Sequence, residues 1–180
     1  SSDLLCHDTR LYNFSDNHDV ERLPNKLRNR DHIRHIALLV YTLWGIPSIY
    51  YGSEFGIEGK KEWGSDWPLR PCLELADYTD AEKTNPVTSI YAALGRLKAE
   101  CPELSWGEFK ELTLTTQSYA YARVLDGKAV VAVYNNGDSP VSMEFQLPVE
   151  ASGVEDLLAD CVGSQPILTQ VDRKSTRLNS

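Results

Sequence analysis

Length, composition and charge describe an ordinary globular protein and exclude several classes of partner. The 180 residues suffice for one domain or two small ones, and hydrophobic and charged fractions of 42% and 24% exclude a disordered chain. Eighteen basic residues against 26 acidic ones give a net charge of −8. Because phosphate backbones and anionic membranes are bound by concentrated Lys and Arg, we expect neither nucleic acid nor a membrane as a partner.

The cysteines predict no disulfide framework and no zinc site, since none of them forms a Cys-x-x-Cys pair: Cys6, Cys72, Cys101 and Cys161. Scattered thiols are typical of a reducing compartment, so we expect a cytoplasmic protein. No other metal-ligand spacing is evident, and no cofactor is expected.

The first predicted strand, residues 10–14, runs directly into a cluster of polar and charged side chains. The cluster consists of Asp16, Asn17, His18, Asp19, Glu21 and Arg22. A parallel strand covered on both faces is apolar along its length and becomes polar where it leaves the sheet. In α/β folds that end carries the functional side chains, so this cluster is the first candidate site.

A helix and a second strand follow. Apolar residues recur at spacings of three and four from residue 33 to residue 44, which predicts a helix with Asp31 as N-cap and Gly45 as its stop. Residues 46–51 are short, apolar and rich in β-formers, which predicts a buried strand. Strand, helix and strand with short connections predict a parallel βαβ unit.

A long irregular stretch, residues 53–85, separates this unit from a second helix that begins at Asn85-Pro86 and ends before Pro102. Long loops in compact domains are usually functional. Two tryptophans in it, Trp63 and Trp67, either pack the loop down or offer faces to a ligand. The charge run over residues 58–62 is most simply a solvated loop face.

After residue 104 the pattern changes to short β-branched and alternating runs at residues 110–115, 119–125, 128–135 and 140–147. Asp126-Gly127 and Asn136-Gly137 are hairpin signals between them. These features predict a small antiparallel β domain over residues 105–171. Residues 172–180 have no apolar period and are expected to be a disordered, non-native tail.

Two segments together resemble the α-amylase family of glycoside hydrolases. Phe14-Ser-Asp-Asn-His-Asp19 matches the family pattern Phe-x-x-Asn-His-Asp at the end of the seventh barrel strand. Gly45-Ile-Pro-Ser-Ile-Tyr-Tyr-Gly-Ser-Glu54 resembles the eighth strand and its exit. The resemblance covers about residues 8–170. It implies an α/β fold class: the C-terminal quarter of a (β/α)8 barrel over residues 1–104, followed by a small antiparallel β-sandwich domain.

The resemblance also implies roles for individual residues. Asp19 would be the carboxylate that stabilises the transition state, and His18, Arg22 and Arg70 would bind substrate. Asp66 and Arg70 resemble a common Asp-to-Arg spacing in the loop after the eighth strand. These roles suit glycosidic cleavage, which passes through an oxocarbenium-like state that a neighbouring carboxylate stabilises. Calcium occurs in the family, but no ligand loop for it is evident here.

Two catalytic groups of the implied enzyme are not found in these 180 residues. A retaining glycosidase needs a carboxylate nucleophile and a carboxylic acid, and the family carries both on earlier strands. We therefore expect a C-terminal fragment of an α-glucan-active glycosidase that is inactive alone, with the upstream part of the same polypeptide as partner and α-linked oligosaccharides or polysaccharides as substrate. The alternative is a non-catalytic relative, a scaffold or transporter-associated subunit.

Three other interpretations carry less weight. Asp19 and His18 would, on spacing alone, serve equally to cap a turn. His32 and His35 lie three residues apart at a helix start, where a solvated helix face explains them more simply than metal ligation. The His7-Asp8 and His18-Asp19 pairs resemble ligands of metal-dependent phosphohydrolases, but that class requires an all-helical setting.

Overall fold

A computed structural model describes residues 10–164, 170–172 and 177–179. The chain divides into two compact units between Tyr91 and Ala92. The domain boundary expected between residues 104 and 105 remains a prediction. Over the described residues, no helix is long and apolar enough to cross a membrane.

The first unit contains the expected strand–helix–strand arrangement. Its elements are strand β1 (Tyr12–Asn13), the helical turn α1 (Leu23–Lys26), helix α2 (His32–Thr42) and strand β2 (Ile46–Pro47). The two strands pair in parallel, with Tyr12 opposite Ile46, which confirms the βαβ prediction. Both strands are shorter than predicted. After Ser48 donates its amide to the Asn13 carbonyl at 2.8 Å, the chain turns away from the ladder.

Helix α2 forms because its apolar residues share one face, and Ile33, Ala37 and Val40 on that face are buried. Asp31 lies at the predicted N-cap position, but its backbone is helical (φ −61°, ψ −23°) and its side chain makes no capping hydrogen bond. Its amide instead donates to Asn29 Oδ1 at 3.0 Å, within a preceding turn. Gly45 ends the segment at φ +136°, where an added Cβ would lie 2.5 Å from the Leu11 carbonyl oxygen.

The stretch predicted to be irregular contains short helical turns. These are the 3-10 helices Ser53–Phe55, Trp67–Leu69 and Leu75–Tyr78 and the α-helical turn α3 (Ala81–Thr84). The rings of Phe55 and Tyr78 stack at 4.0 Å, and Leu69 is fully buried. The loop is therefore packed. Helix α4 (Pro86–Glu100) begins as predicted, because Asn85 Oδ1 accepts the Val87 amide at 2.8 Å.

The second unit carries the predicted antiparallel β structure. After the helical turn α5 (Pro102–Trp106), a three-stranded sheet is formed by β3 (Glu108–Leu114), β4 (Ser118–Leu125) and β5 (Lys128–Asn135). The turn between β4 and β5 has Asp126 at φ 49° and Gly127 at φ 75°, which confirms the first hairpin signal.

The second hairpin signal does not join neighbouring strands. Strand β6 (Glu144–Gln146) lies in a separate sheet with β7 (Gln170–Asp172) and β8 (Arg177–Asn179), in the order β6-β8-β7. The Asn135 side chain accepts the Gly137 amide and donates to the Ser139 carbonyl, so it closes a local turn that ends β5.

Strand β8 differs from the tail expected over residues 172–180. Its backbone pairs with β6 and with β7, both antiparallel. Without β8, strand β6 would present a row of free amides and carbonyls, and a segment of weak apolar pattern can satisfy these through backbone hydrogen bonds alone.

The core of the second unit lies between the two sheets. Ala120 of β4 and Phe145 of β6 belong to one buried cluster together with Met143 and Leu147. Residues from both sheets face each other in this cluster, which is the arrangement of a β-sandwich. On the opposite face of the first sheet, the buried hydroxyls of Tyr121 and Tyr134 lie 2.9 Å apart.

Candidate active site

The polar segment after β1 has one buried carboxylate and one exposed one. Asp16 is buried, and its two oxygens accept the Leu23 amide at 3.0 Å and the Ser53 hydroxyl at 2.8 Å. A buried carboxylate with both oxygens hydrogen-bonded fixes the local chain. Asp16 therefore shapes the segment, whereas Asp19 is open to solvent.

Asp19 and His18 form the exposed pair. The Asp19 amide donates to Asn17 Oδ1 at 2.9 Å in an Asx turn, which orients the segment toward solvent. His18 Nε2 lies 3.1 Å from Asp19 Oδ2, and both side chains are 58% exposed. The His18 ring is 6.4 Å from the ring of Tyr50, which follows strand β2. The two predicted residues are thus accessible to a ligand.

Arg70 reaches the same pair from the long loop. Its Nη2 lies 3.3 Å from Asp19 Oδ1 and 3.4 Å from Asp66 Oδ2, and its Nε donates to the His18 carbonyl at 3.3 Å. The Asp66–Arg70 spacing noted in the sequence therefore does bring a cation to Asp19. The exposed Asp19 carboxylate is flanked by an imidazole on one side and a guanidinium on the other.

Lys61 completes the cluster and was missed by the sequence analysis, which assigned it to a solvated charge run. Its Nζ donates to the Asp19 carbonyl at 2.8 Å and lies 3.3 Å from Asp66 Oδ1. Its position in a loop that follows β2 was the only signal available, because neither spacing nor composition distinguishes it from Lys60.

Arg22 corrects the sequence analysis, which expected it to bind substrate. Its side chain is fully buried. Nη1 donates to the Tyr51 carbonyl at 2.7 Å, and Nη2 donates to the Leu69 carbonyl at 2.9 Å. The guanidinium carbon lies 4.1 Å from the centre of the Tyr50 ring. A side chain buried by its own unit cannot also contact a sugar. Arg22 therefore binds the backbone of its own chain instead of a ligand.

The two loop tryptophans lie free of the loop core. Trp67 is 82% exposed and Trp63 is fully exposed. Trp67 stands in the chain directly after Asp66 and three residues before Arg70. Indole rings offer broad apolar faces with a polar edge, which suits the C–H faces of sugar rings.

The phenol of Tyr50 stays neutral at this position. Burial raises the pKa of Tyr50 above its ordinary value, its hydrogen bond with Tyr51 raises it further, and the charges of Arg22 and Arg70 partly oppose the shift. The hydroxyl is therefore a neutral donor and acceptor beside His18. Across the part of the chain that the structure describes, no group of three His, Cys, Asp or Glu is placed to hold a metal ion.

The arrangement suits a neutral, polyhydroxylated ligand. Asp19 can accept hydrogen bonds from hydroxyls, whereas His18 and Arg70 can donate them. An anionic ligand is less suitable, because Asp19 and Asp66 already engage the cations of the cluster. An accessible carboxylate, an imidazole and exposed aromatic faces are the kinds of group that can bind sugar hydroxyls and sugar-ring faces.

Known proteins of similar sequence are carbohydrate-active enzymes, although no family model matches the chain. It is 31% identical over 129 residues to a cyclomaltodextrinase from a Bacillus species, covering 70% of this chain and 22% of that protein. It is 28% identical over 149 residues to the cyclomaltodextrinase of Thermoanaerobacter pseudethanolicus, covering 82% and 24%. A solved cyclomaltodextrinase structure superposes with a TM-score of 0.65 at 27% identity, covering 77% and 23%.

These similarities identify the chain as a member of the α-amylase family of glycoside hydrolases. The predicted fold class is confirmed: the first unit carries the last part of a (β/α)8 barrel, and an antiparallel β domain follows it. The chain spans about a quarter of the length of the curated relatives that it matches.

Proposed function

We propose that this chain is the C-terminal part of a retaining glycosidase of the α-amylase or α-glucosidase type, which cleaves α-glucosidic bonds in oligosaccharides derived from starch. The observation that carries the proposal is the exposed Asp19 carboxylate, which meets His18 on its own segment and Arg70 from a loop 51 residues further along the chain. Two separate segments converge on one carboxylate that is open to a ligand.

Asp19 stabilises the transition state in this proposal. Cleavage of a glycosidic bond places positive charge on the sugar ring, and hydrogen bonds to the 2-hydroxyl strengthen at that stage. A carboxylate beside the ring stabilises the charge and accepts from the hydroxyl. His18 donates a hydrogen bond to the same sugar, and Arg70 orients the carboxylate and contributes further donors.

The nucleophile and the general acid come from the upstream part of the same polypeptide. The 180 residues alone are therefore inactive, and the substrate is an α-linked oligosaccharide or polysaccharide that lies between this segment and the upstream strands. Cytoplasmic localisation belongs to the same proposal, on the basis of the scattered thiols.

The test is Asp19→Asn in the full-length polypeptide, measured by release of nitrophenol from a nitrophenyl α-maltoside. The amide keeps the size of the side chain and removes its charge, so we expect kcat to fall by about 100- to 1,000-fold, the scale for one lost transition-state contact. Asp138→Asn, at an exposed position of the second unit, is the matched control and should leave kcat unchanged.

Unchanged turnover in Asp19→Asn would contradict the role of Asp19. If the folded wild-type protein bound maltooligosaccharides without turning them over, the result would instead support a non-catalytic relative. Binding and turnover are therefore measured on the same preparations.

A further inference from the structure

Arg22 is a buried cation that holds three separate parts of the chain. Besides its bonds to the Tyr51 and Leu69 carbonyls, its own amide donates to the Gly59 carbonyl at 2.9 Å. An arginine fork is suited to this because its donors are fixed in one plane and point in several directions. Arg22 thus ties the exit of β2 to both ends of the segment 59–69: its side chain binds Tyr51 and Leu69, and its backbone amide binds Gly59.

The charge of Arg22 is balanced through a hydroxyl. Nη1 donates to Ser53 Oγ at 3.4 Å, and Ser53 Oγ in turn donates to Asp16 Oδ1 at 2.8 Å. Each of these three residues is buried. Burying a charge is costly unless hydrogen bonds and an opposite charge compensate it, and this relay supplies both.

The backbone at Gly59 packs closely against Arg22. A Cβ on Gly59 would lie 2.6 Å from the Pro68 carbonyl oxygen and 2.8 Å from Arg22 Cγ. Segment 59–69 therefore closes tightly around the arginine. Yet Arg22 Nε is buried without a hydrogen-bond partner, which costs stability. A site optimised for stability alone would satisfy this donor or replace the cation with an apolar side chain.

The loop residues that Arg22 binds are next to the residues that contact Asp19. Leu69, whose carbonyl it binds, precedes Arg70, and Arg70 contacts Asp19. Arg22 itself follows Asp19 by three residues, so it is anchored to the segment that carries the carboxylate. The same side chain fixes both partners of the Asp19–Arg70 contact.

We propose that Arg22, balanced by Asp16 through Ser53, is a positioning residue that holds segment 59–70 so that Arg70 meets Asp19. It touches no substrate and acts through Arg70. The inference rests on the proposed function for its effect on turnover, and on the geometry alone for its effect on the loop.

A double-mutant cycle in the full-length polypeptide tests the effect on turnover. Arg22→Lys keeps the charge but cannot reach both Tyr51 and Leu69, so we expect kcat/KM for a nitrophenyl α-maltoside to fall about 10- to 100-fold, the scale for a catalytic group displaced by about 1 Å. In the Arg70→Ala background, Arg22→Lys should lower kcat/KM by less than about threefold, because the side chain that Arg22 positions is already absent. Equal effects in both backgrounds would overturn the proposal and leave Arg22 a merely structural residue.

Ser53→Ala is the second variant, since it breaks the relay without removing the arginine. It should lower kcat/KM in the wild-type background and not in the Arg70→Ala background. Thr79→Ala, at an exposed hydroxyl elsewhere on the same loop, is its control and should change neither.

Limited trypsin digestion separates failure of this inference from failure of the proposed function. Segment 59–70 contains Lys60 and Lys61. Cleavage after these residues, identified by mass spectrometry, should be at least about tenfold faster in Arg22→Lys than in wild type if the loop has been released. This measurement tests the inference even if the protein has no glycosidase activity. Faster cleavage supports the proposal that Arg22 holds segment 59–70, and unchanged cleavage overturns it.

Discussion

Lys61 connects the backbone of Asp19 to the carboxylate of Asp66 while half of its side chain remains in solvent. Exposed ion pairs are worth about 0–1 kcal/mol and are screened by salt. We therefore expect Lys61→Met in the full-length polypeptide to raise KM for a nitrophenyl α-maltoside by no more than about fivefold, with a smaller effect at high ionic strength. Lys83→Met, which breaks a more exposed ion pair with Asp80, should leave KM unchanged. A large fall in kcat would show that Lys61 has a direct role in the transition state.

Trp67 projects from the loop beside Asp66 and Arg70, with most of its surface in solvent. An exposed side chain of this size contributes little to folding, so Trp67→Ala should change the free energy of unfolding by less than about 0.5 kcal/mol. If its ring stacks on sugar, the dissociation constant for maltoheptaose should rise about three- to tenfold, the scale of one stacking contact. Titration calorimetry on the full-length polypeptide measures this. Trp106→Ala, in the second unit, is the control, and equal affinities for Trp67→Ala and wild type would contradict the sugar contact.

Tyr91 makes the stability of the first unit sensitive to alkaline pH. Burial raises the pKa of Tyr91 well above the ordinary value of 10.0, and the charges of Asp16 and Glu54 raise it further, against a hydrogen bond from Ser15. The unfolded phenol ionises near pH 10 while the folded one remains protonated, so the unfolded state binds fewer protons there. The stabilisation is complete below pH 10 and is lost as the pH rises above it. Urea unfolding from pH 8 to 11 should show a steeper loss for wild type than for Tyr91→Phe, with the exposed Tyr12→Phe behaving as wild type.

At the scale of elements, two glycines in open space should respond to alanine in opposite directions. No atom lies within 4 Å of a Cβ built on Gly127 or on Gly95, so packing plays no part at either position. Gly127 has φ 75° in the β4–β5 turn, and alanine there should cost about 1 kcal/mol. Gly95 lies within helix α4, where alanine should stabilise by about 0.5–1 kcal/mol. Urea unfolding of the two variants measures both shifts. No loss of stability on substitution of Gly127 would show that the turn does not require a left-handed residue.

Helix starts and turns that depend on neighbouring residues were predictable from the sequence. Contacts between residues far apart in the chain were not. Asn85 and Pro86 begin helix α4 through a local cap, and Asp126-Gly127 forms its turn from its own backbone preference. The burial of Arg22 and the contact of Lys61 with Asp19 depend on how residues 59–70 fold back, which no periodicity encodes. Arg22 and Arg70 look equally suited to substrate in sequence, and only tertiary contacts distinguish the buried Arg22 from the exposed Arg70.

At the scale of the whole molecule, the first unit has a two-stranded parallel sheet with apolar residues left open around it. Leu11, Tyr12, Phe14 and Ile46 are each about half exposed or more. A groove of about 350 Å³ lies between β1 and helix α2 and is lined by residues that include Phe14, Leu39 and Val40. Parallel strands are normally covered on both faces, and a two-stranded sheet is marginal on its own. In the proposed enzyme, the upstream part of the polypeptide would cover this surface.

The 180-residue chain alone should therefore self-associate through the surface around β1. Light scattering coupled to gel filtration should show a mean mass that rises with concentration above the 20.2 kDa of one chain, because apolar patches and open strand edges pair with other copies. Leu11→Lys should reduce this association, since it places a charge on the exposed surface while leaving the Leu11 carbonyl free to accept the Ile46 amide. Leu157→Lys is the matched control, because Leu157 is 42% exposed against 48% for Leu11 but belongs to the second unit. A wild-type chain that stays monomeric and unfolds cooperatively would show that the first unit covers its own strands, and the full-length polypeptide should remain unaffected by the concentration series in either case.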